Sequence, residues 1–395
     1  AYEGMIGHIK LSQNTNMSVE KLSFDQIKSI KLINFRSHSD LSLQLSGRPL
    51  AIIGNNGVGK TNILEAISLL SPGRGIRNSK FSEMVKDDNM LPWGINFNIS
   101  SNRKNYQVSS GLKNSHRGRD VKINGKKVAG SNKLSDIILL SWLTPSMDQI
   151  FNETPSYRRR FIDRLCSVYS KNHIKNIKTY EKLMLERNSS FKNKIFDNVW
   201  LNGIDEQMSE VSIAIAETRI EFINNLNKVL KTNLDPVWPK AYLEILGFVE
   251  KLVTTWNNNK AKQILFEKLK ENREKDFFSK RTTEGIHRSD LLVIDRNQKI
   301  EAKKCSTGEQ KSLLMGIILS HLDLVANHKG RYPVLLLDEV VAHFDEIRRK
   351  SFFNQIRDIG SQIIMTGTDR SVFEQLNGID IYHLDTNKVT NIQGN

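Results

Sequence analysis

A glycine-rich stretch at residues 54–61 carries the clearest chemical signal in this sequence. It reads Gly-Asn-Asn-Gly-Val-Gly-Lys-Thr and satisfies the phosphate-loop pattern G-x-x-x-x-G-K-[ST], with an apolar run before it and an apolar helical pattern after it. In such a loop, backbone N–H groups converge on phosphate oxygens, a lysine adds charge near the β- and γ-phosphates, and a hydroxyl can ligate Mg²⁺. The predicted binding residues are Gly54, Asn55, Asn56, Gly57, Val58, Gly59, Lys60, Thr61 and Asn62.

An apolar strand that ends in two carboxylates is the second feature. Residues 333–337 read Pro-Val-Leu-Leu-Leu and lead directly into Asp338 and Glu339. Asp338, at the strand's carboxyl end, can hold Mg²⁺, whereas Glu339 points elsewhere and can act as a general base toward water. Ordinary buried strands also end in acidic residues, so the phosphate loop upstream is what favours the catalytic interpretation. We therefore predict Glu339, Asp338 and Lys60 as catalytic, and Thr61 and Asp338 as metal ligands.

A third feature is the start of a helix at residues 305–312, which read Cys-Ser-Thr-Gly-Glu-Gln-Lys-Ser. Ser306 stands where an N-cap is expected and Glu309 follows three residues later, so the pattern predicts a capping box. The free N–H groups of a helix N-terminus that holds a serine and a glycine also attract anions. Both interpretations apply to the same residues.

The composition limits the class of protein. The net charge is +15 and the pI is near 9.6, which favours a polyanionic partner such as nucleic acid, although a merely basic soluble protein has the same charge. Cys166 and Cys305 lie far apart, form no metal-ligand pattern and suit a reducing cytosol. No apolar run of membrane-spanning length and no signal-peptide pattern is present. We therefore expect a cytoplasmic, nucleoid-associated protein.

The chain divides into segments of different character. Residues 1–24 are polar and predict a poorly ordered extension, while 25–150 are β-rich around one phosphate-loop helix, with a hairpin turn at Asn124-Gly125. Residues 151–280 show helical periodicity and predict an inserted helical lobe, and α/β character returns over 281–395. The predicted fold is an α/β phosphate-loop NTPase with a mixed sheet, a β-rich part and a helical insertion.

Several segments in combination resemble one group of ATPases. Residues 306–310, Ser-Thr-Gly-Glu-Gln, match the signature motif of ABC-type ATPases in the variant used by the SMC-like DNA-repair group, and residues 342–345, Ala-His-Phe-Asp, stand where that group has its D-loop. Residues 34–38, Asn-Phe-Arg-Ser-His, resemble the opening of the same group. Together with the short helical insertion, further details resemble the RecF family of bacterial recombination mediators, namely residues 142–145, 158–163, 187–188, 285–290 and 366–369.

The resemblance implies an ABC-type head that dimerises when ATP binds. Ser306 and Gly308 of one subunit would then reach the γ-phosphate held by Lys60 of the other, with Arg36 and Gln310 as further nucleotide contacts. It also implies recognition of double-stranded and gapped DNA, cooperation with RecR and RecO-like mediator proteins in loading recombinase, and slow, DNA-stimulated ATP hydrolysis.

Two departures from other ABC proteins bear on the chemistry. The stretch after the last core strand offers Thr366, Thr368 and Asp369 but no switch histidine, which agrees with slow hydrolysis. The glutamine-loop position is ambiguous: Gln149 is the candidate metal ligand, with Asp148 beside it, and a polar turn explains these residues equally well. The alternative functions are a transporter's ATP-binding subunit, which the charge and the missing histidine disfavour, and another SMC-like head, for which the insertion is short.

Basic residues outside the loop are candidates for contact with the DNA backbone. Three adjacent arginines at 158–160 cannot share one helix face, so internal salt bridges compete with the DNA role, and a buried structural role competes at His287. Backbone contacts of this kind predict salt-sensitive, sequence-independent binding. The predicted residues are Arg74, Arg77, Arg158, Arg159, His287 and Arg288.

Overall fold

A computed structural model describes residues 23–86, 91–113, 118–194, 196–232, 235–341, 344–359, 361–374, 378–385 and 388–393. Of the predicted extension at 1–24, residues 1–22 lie outside the described residues, and so do Ala342 and His343 of the predicted D-loop. Across the described ranges, no helix is both long enough and apolar enough to cross a membrane.

The elements follow one another along the chain as strands and helices of very different lengths. The strands are β1 (Ser23–Phe24), β2 (Gln26–Phe35), β3 (His38–Gln44), β4 (Leu50–Ile53), β5 (Gly94–Ser101), β6 (Lys104–Leu112), β7 (Arg119–Ile123), β8 (Lys126–Lys127), β9 (Leu140–Leu143), β10 (Ala241–Leu246), β11 (Asp290–Asp295), β12 (Ile300–Glu301), β13 (Arg331–Tyr332), β14 (Val334–Leu337), β15 (Ile363–Gly367), β16 (Asp380–Asp385) and β17 (Lys388–Gln393). The helices are α1 (Lys60–Ser68), α2 (Leu134–Ile137), α3 (Pro155–Tyr169), α4 (Lys171–Lys192), α5 (Asn198–Thr232), α6 (Phe248–Thr255), α7 (Asn258–Glu271), α8 (Arg273–Ser279), α9 (Thr307–Lys329), α10 (Glu346–Ile359) and α11 (Ser371–Glu374).

The central sheet positions the chemistry. Its order is β17-β16-β4-β15-β14-β9, and all neighbours are parallel except β16 and β17. Strands β4, β14 and β15 are buried along their whole length, as expected for parallel strands covered on both faces. Because the strands run in the same direction, the segments that follow β4 and β14 meet the end of β15 at one edge. The phosphate loop and the two carboxylates therefore come together there.

A second, antiparallel sheet confirms the β-rich character of the first segment. Its order is β3-β2-β5-β6-β7-β8, and β2 and β5 bury alternate side chains. The predicted hairpin turn is confirmed, since Asn124 and Gly125 take φ values of 49° and 78° between β7 and β8. Both sheets contribute to one continuous apolar core, so this sheet and the central sheet form a single packed unit.

A second apolar core lies among α4, α5, α6 and α7, whereas the buried apolar residues of α3 and of the second half of α5 belong to the first core. We use the name helical lobe for α3 to α8. It differs from the sequence prediction in one respect, because β10 lies within the predicted helical span and pairs antiparallel with β11. Buried Arg219 links three parts of the lobe: it bonds Asp163 of α3 at 2.8 Å and Glu250 of α6 at 3.0 Å, and it donates to the Ile286 carbonyl at 3.2 Å.

Candidate active site

The phosphate loop joins the end of β4 to the start of α1, with residues 55–57 exposed at its tip. Gly59 takes φ of 100°, and a Cβ there would lie 2.3 Å from Ser37 Oγ and 2.8 Å from His38 Nε2. A side chain is therefore excluded by both the backbone conformation and the available space. The Asn62 amide donates to Ser37 Oγ at 2.8 Å, so the turn between β2 and β3 supports the loop from one side.

Lys60 lies beneath this loop, with its side chain only 4% exposed. Its ammonium donates to the carbonyls of Gly54 at 2.7 Å and Asn55 at 3.0 Å, and it lies 3.8 Å from Glu339 Oε1. Burial lowers the pKa of Lys60, while the charges of Glu339 and Asp338 act in the opposite direction. A buried ammonium held mainly by neutral carbonyls is well suited to an anion, because an anion compensates its charge better than a carbonyl does.

Oxygen atoms from three elements meet at Asp338, which directly follows β14. Thr61 Oγ1 lies 2.9 and 3.1 Å from the two carboxylate oxygens. Thr366, in β15, donates to Asp338 Oδ1 at 2.7 Å and accepts the N–H of Glu339 at 3.0 Å. Such a set of oxygens fits Mg²⁺, a hard cation that typically takes one or two carboxylates and completes its shell with phosphate oxygens and water. Throughout the described ranges, no cluster of three or more His, Cys, Asp or Glu side chains offers a site for a metal held by protein alone.

Glu339 takes φ of 53°, an uncommon conformation for a residue other than glycine. This backbone turn separates its side chain, 40% exposed, from that of Asp338, which is buried. The two neighbouring carboxylates therefore occupy different environments. One is enclosed among hydroxyls, and the other is accessible to a water molecule.

The start of α9 lies on the surface. The predicted capping box is confirmed, because Ser306 N and Oγ each donate to Glu309 Oε2 at 2.8 Å and Ser306 Oγ accepts from Glu309 N. Residues 306–308 are exposed, and a Cβ built on Gly308 would meet no atom within 4 Å. This helix terminus therefore has space for a group from outside the chain.

Gln310 is placed differently from its expected role as a nucleotide contact. Its side chain is buried, donates to the Cys305 carbonyl at 2.9 Å and accepts from Asn152 at 3.1 Å. The amide thus fixes the segment that precedes α9 instead of facing outward with Ser306. The geometry argues against a direct contact with nucleotide.

Arg36 is likewise engaged elsewhere. Its guanidinium bonds both carboxylate oxygens of Glu65, at 2.6 and 2.9 Å, and donates to the Glu83 carbonyl and to Ser79. Glu65 lies on α1 and is completely buried; it also binds Arg77 at 2.9 Å. Arg36 therefore attaches the turn after β2 to the phosphate-loop helix, and this positioning role competes with the predicted contact to nucleotide, which stays a prediction.

Gln149, the candidate metal ligand, is not brought to Asp338. Its side chain is exposed, and its carbonyl accepts the N–H groups of Asn152 and Glu153 in a turn. The neighbouring Asp148 pairs with Lys311 of α9 at 2.9 Å. These contacts favour the alternative interpretation of a polar turn.

Two of the candidate DNA-binding arginines, Arg158 and Arg159, are half-buried and make contacts within the protein. Arg158 forms a bidentate pair with Asp290, with both contacts at 2.7 Å. Arg159 donates to the Ser289 carbonyl at 2.6 Å and is half-buried. Both attach α3 to the start of β11, and this structural role competes with the predicted contact to DNA, which stays a prediction.

His287 is also structural. Its Nε2 lies 3.1 Å from the Thr282 carbonyl, which can only accept, so Nδ1 accepts from the Tyr180 hydroxyl at 2.6 Å. Burial lowers the pKa of His287 to about 4, so the ring is neutral near pH 7 and carries no charge for a phosphate. Of the six residues predicted to contact DNA, Arg74, Arg77 and Arg288 are exposed.

Sequence reasoning missed two residues at this site. From the sequence, Thr366 marks only the position where a switch histidine is missing. The signal for its contact with Asp338 is a hydroxyl near the end of β15, the strand next to β14. Glu65 carried a weaker signal, since an acidic residue on the apolar face of a predicted helix needs a partner when it is buried.

Comparison with known proteins agrees with this architecture. The family model described as RecF/RecN/SMC N terminal domain matches residues 26–391. The protein named DNA replication and repair protein RecF from Rhizobium leguminosarum bv. trifolii is 37% identical over 353 residues, which cover 89% of this chain and 94% of the relative. The protein of the same name from Agrobacterium fabrum is 36% identical over 91% of this chain and 96% of its own length.

Solved structures give the same result. A structure described as the recombination mediator protein RecF-ATP in the RecFOR pathway superposes with a TM-score of 0.82 at 27% identity, over 94% of this chain and 100% of that one. An Smc head domain from Pyrococcus furiosus shares the fold, with a TM-score of 0.51 at 15% identity over 94% of this chain and 97% of that one. The predicted ABC-type ATPase fold is therefore confirmed. The chain belongs to the RecF family of DNA replication and repair proteins.

Proposed function

We propose that this chain binds ATP with Mg²⁺ at residues 54–61, dimerises when ATP is bound, and hydrolyses it slowly while it holds DNA for recombinational repair and replication restart. The observation that carries the proposal is the cluster of Thr61, Asp338 and Thr366 beside buried Lys60 and the turned-out Glu339. These groups are of the kinds that hydrolysis of a nucleoside triphosphate requires, namely a cation, metal ligands and a base.

Each residue has a distinct task in this proposal. Lys60 places its ammonium against the β- and γ-phosphates, and Thr61 and Asp338 hold Mg²⁺, which neutralises developing phosphate charge when it is bound. Glu339 accepts a proton from the attacking water. Thr366 orients the carboxylate of Asp338 and the backbone N–H of Glu339 through its two hydrogen bonds. The absence of a histidine beside Thr366 agrees with slow turnover.

The dimer is proposed from the surface at the start of α9. Ser306 and Gly308 are exposed, and the helix N-terminus carries partial positive charge. A second copy of the chain would supply this terminus to the triphosphate on Lys60. ATP then contributes contacts to both subunits, and hydrolysis weakens their association.

DNA and protein partners are proposed from charge and family. The net charge of +15 favours a polyanion, and relatives named for DNA replication and repair support double-stranded and gapped DNA as the ligand. Exposed Arg74, Arg77 and Arg288 are the retained candidates for contacts to the DNA backbone. The related structures assigned to the RecFOR pathway support RecR and RecO-like proteins as partners in recombinase loading.

The proposal is tested by ATP hydrolysis measured with and without gapped duplex DNA, in the absence of membranes. We expect slow hydrolysis that DNA stimulates, and a DNA affinity that falls steeply with salt. Asp338→Asn should remove activity, whereas Asp385→Asn, at an acidic residue at the end of β16, should not. Hydrolysis that is indifferent to DNA, together with DNA affinity unchanged by salt, would contradict the proposal.

A further inference from the structure

An exposed apolar surface lies at one end of the helical lobe, where α8 meets the start of α5. The ring of Phe277 lies at its centre, 5.8 Å from the ring of Phe196 and 6.1 Å from that of Phe278. Val199 and Trp200, in the first turn of α5, follow Phe196 along the chain. Phe278 and Val199 are each 82% exposed, and Phe196 and Trp200 are exposed as well. These five residues form what we call the apolar patch, and a contiguous group of this kind is typical of an interaction surface.

The apolar patch rests on a buried polar base. Arg273, at the start of α8, is buried and donates to Asn202 of α5 at 2.7 Å. Asp276, also in α8, is buried and accepts from Arg187 of α4 at 2.6 Å. These contacts fix α8 against both longer helices, so the exposed rings are held in place by the polar groups beneath them. A surface that is formed before a partner arrives lowers the entropic cost of binding.

Cations surround the apolar patch. Lys275 lies three residues before Phe278 on α8, so the two side chains are neighbours on the helix surface. Acidic groups are fewer, namely Glu274 and Asp197, whose carboxylate accepts the N–H groups of the first turn of α5. The exposed cations near the patch that form no ion pair with another described residue are Lys192, Lys194, Lys275, Lys280 and Arg281. This excess of positive charge favours a partner that carries negative charge.

The orientation of the rings favours a protein over a nucleic acid strand as that partner. The rings of Phe196 and Phe278 lie at 83° and 81° to the ring of Phe277. A nucleic acid strand stacks successive bases on open ring faces, and perpendicular rings do not supply a row of parallel faces. Ring edges, ring faces and aliphatic Val199 together suit the mixed side chains of a protein. Contact between the patches of two copies of this chain is disfavoured, because it would bring like charges together.

We propose that the apolar patch binds a short acidic segment of another protein. In this arrangement one or two apolar side chains of the segment pack against Phe196 and Phe278, while its carboxylates lie beside Lys275 and Lys280. Interfaces of this kind combine a few apolar anchors with charges at the rim that set specificity and association rate. None of these residues belongs to the proposed ATP site, so the inference does not depend on that site.

Three fluorescein-labelled peptides of about twelve residues test the proposal. The first alternates glutamate with phenylalanine, leucine and tryptophan, the second replaces its apolar residues by serine, and the third replaces its glutamates by lysine. Fluorescence anisotropy with the full chain measures their affinities. We expect the first peptide to bind about tenfold or more tightly than the other two, because the patch requires both apolar anchors and carboxylates.

Variants of the chain locate the binding site. Phe278→Ser should weaken binding of the first peptide by about tenfold or more, and Lys275→Glu by about threefold or more. The control is Trp256→Ser, which removes an exposed aromatic side chain at the end of α7 away from α8, about 20 Å along that helix. This variant should bind the peptide as the wild type does. Because Phe278 is so exposed, its replacement should leave urea unfolding unchanged, which excludes loss of structure as the cause.

A labelled single strand of about twelve thymidylates separates the other class of partner. If this strand displaced the acidic peptide, and its own affinity fell equally in Phe278→Ser, the patch would be a nucleic acid site and the proposal would be overturned. Peptide binding that is unchanged in Phe278→Ser, or that does not need the apolar residues of the peptide, would overturn it as well. Failure of the first peptide to bind at about 1 mM would do the same.

Discussion

The hydroxyl of Thr366 donates a 2.7 Å hydrogen bond to the carboxylate of Asp338. The same hydroxyl accepts the backbone N–H of Glu339, so one side chain orients both carboxylate residues after β14. Because the bond runs between adjacent parallel strands, the position of Asp338 relative to the phosphate loop depends on the packing of the central sheet. The geometry of the proposed catalytic site and the register of the central sheet are therefore linked at this point.

Thr366→Val should lower ATP hydrolysis by about tenfold or more while leaving ATP affinity within a few-fold. Valine keeps the shape of threonine but leaves Asp338 Oδ1 and the N–H of Glu339 without this partner, at a cost of about 1–3 kcal/mol in stability. Steady-state hydrolysis and equilibrium binding of a fluorescent ATP analogue separate the two effects. Thr368→Val, at an exposed position in the same segment, is the control. Equal turnover in wild type and Thr366→Val would exclude this orienting role.

Lys60→Ala should weaken ATP binding by about tenfold to a hundredfold, because charge-assisted hydrogen bonds contribute about 1.5–3 kcal/mol. Titration with the fluorescent analogue measures the change. Lys80→Ala removes a lysine whose side chain is 75% exposed, and we expect it to bind as the wild type does. Unchanged affinity in Lys60→Ala would place the triphosphate elsewhere.

Glu339→Gln should retain ATP binding and lower hydrolysis by about two to four orders of magnitude, the usual range for a general base. The ATP-bound form should accumulate, because the step that ends it is blocked. Single-turnover measurement of phosphate release is the appropriate readout. Normal turnover in this variant would eliminate Glu339 as the base.

Two histidines with lowered pKa values, His321 and His287, should make the free energy of unfolding fall in acid. Burial lowers the pKa of His321 to about 3 and that of His287 to about 4, so between these values and about 6.5 the unfolded chain binds protons that the folded chain does not. At pH 5.5 each histidine should remove about 1.4 kcal/mol from the free energy of unfolding. Asp323 acts oppositely, because burial raises its pKa to about 6 and the folded chain gains its proton first.

Urea unfolding at pH 7.5 and pH 5.5 measures the balance. His321→Gln should reduce the acid-induced loss by about one histidine's share, whatever its effect at neutral pH. His383→Gln, at an exposed position, should leave the loss unchanged. If the two variants showed the same dependence on pH, the buried neutral state of His321 would be disproved.

Much of this site follows from local patterns in the sequence. Gly59, Lys60 and Thr61 lie in a loop whose form is set by nearby residues, and Asp338 ends an unmistakable buried strand, so their meeting at one sheet edge could be predicted. The inward position of Gln310 also has a local signal in the sequence. Gln310 shares a helix face with apolar Leu313 and Leu314, and that spacing predicts a side chain directed toward the core.

The remaining differences come from partners that are distant in sequence. Arg158 is held by Asp290, and His287 by Tyr180. Neither pairing has a periodicity or spacing that identifies it. The first arises only when α3 packs against β11, and the second only when the segment after α8 packs against α4. Strand β10 was missed for the same reason, since its partner β11 lies beyond the intervening helices α6 to α8.

The central claim, that ATP joins two copies of the chain through Lys60 and Ser306, is tested most directly by sizing the protein with ATP and with ADP. We expect a dimer with ATP, a monomer with ADP, and a monomer with ATP for Ser306→Arg, which should still bind the nucleotide. Ser279→Arg adds the same charge at an exposed serine of α8 and should dimerise normally. An ATP-dependent dimer of Ser306→Arg, as abundant as that of the wild type, would contradict the account.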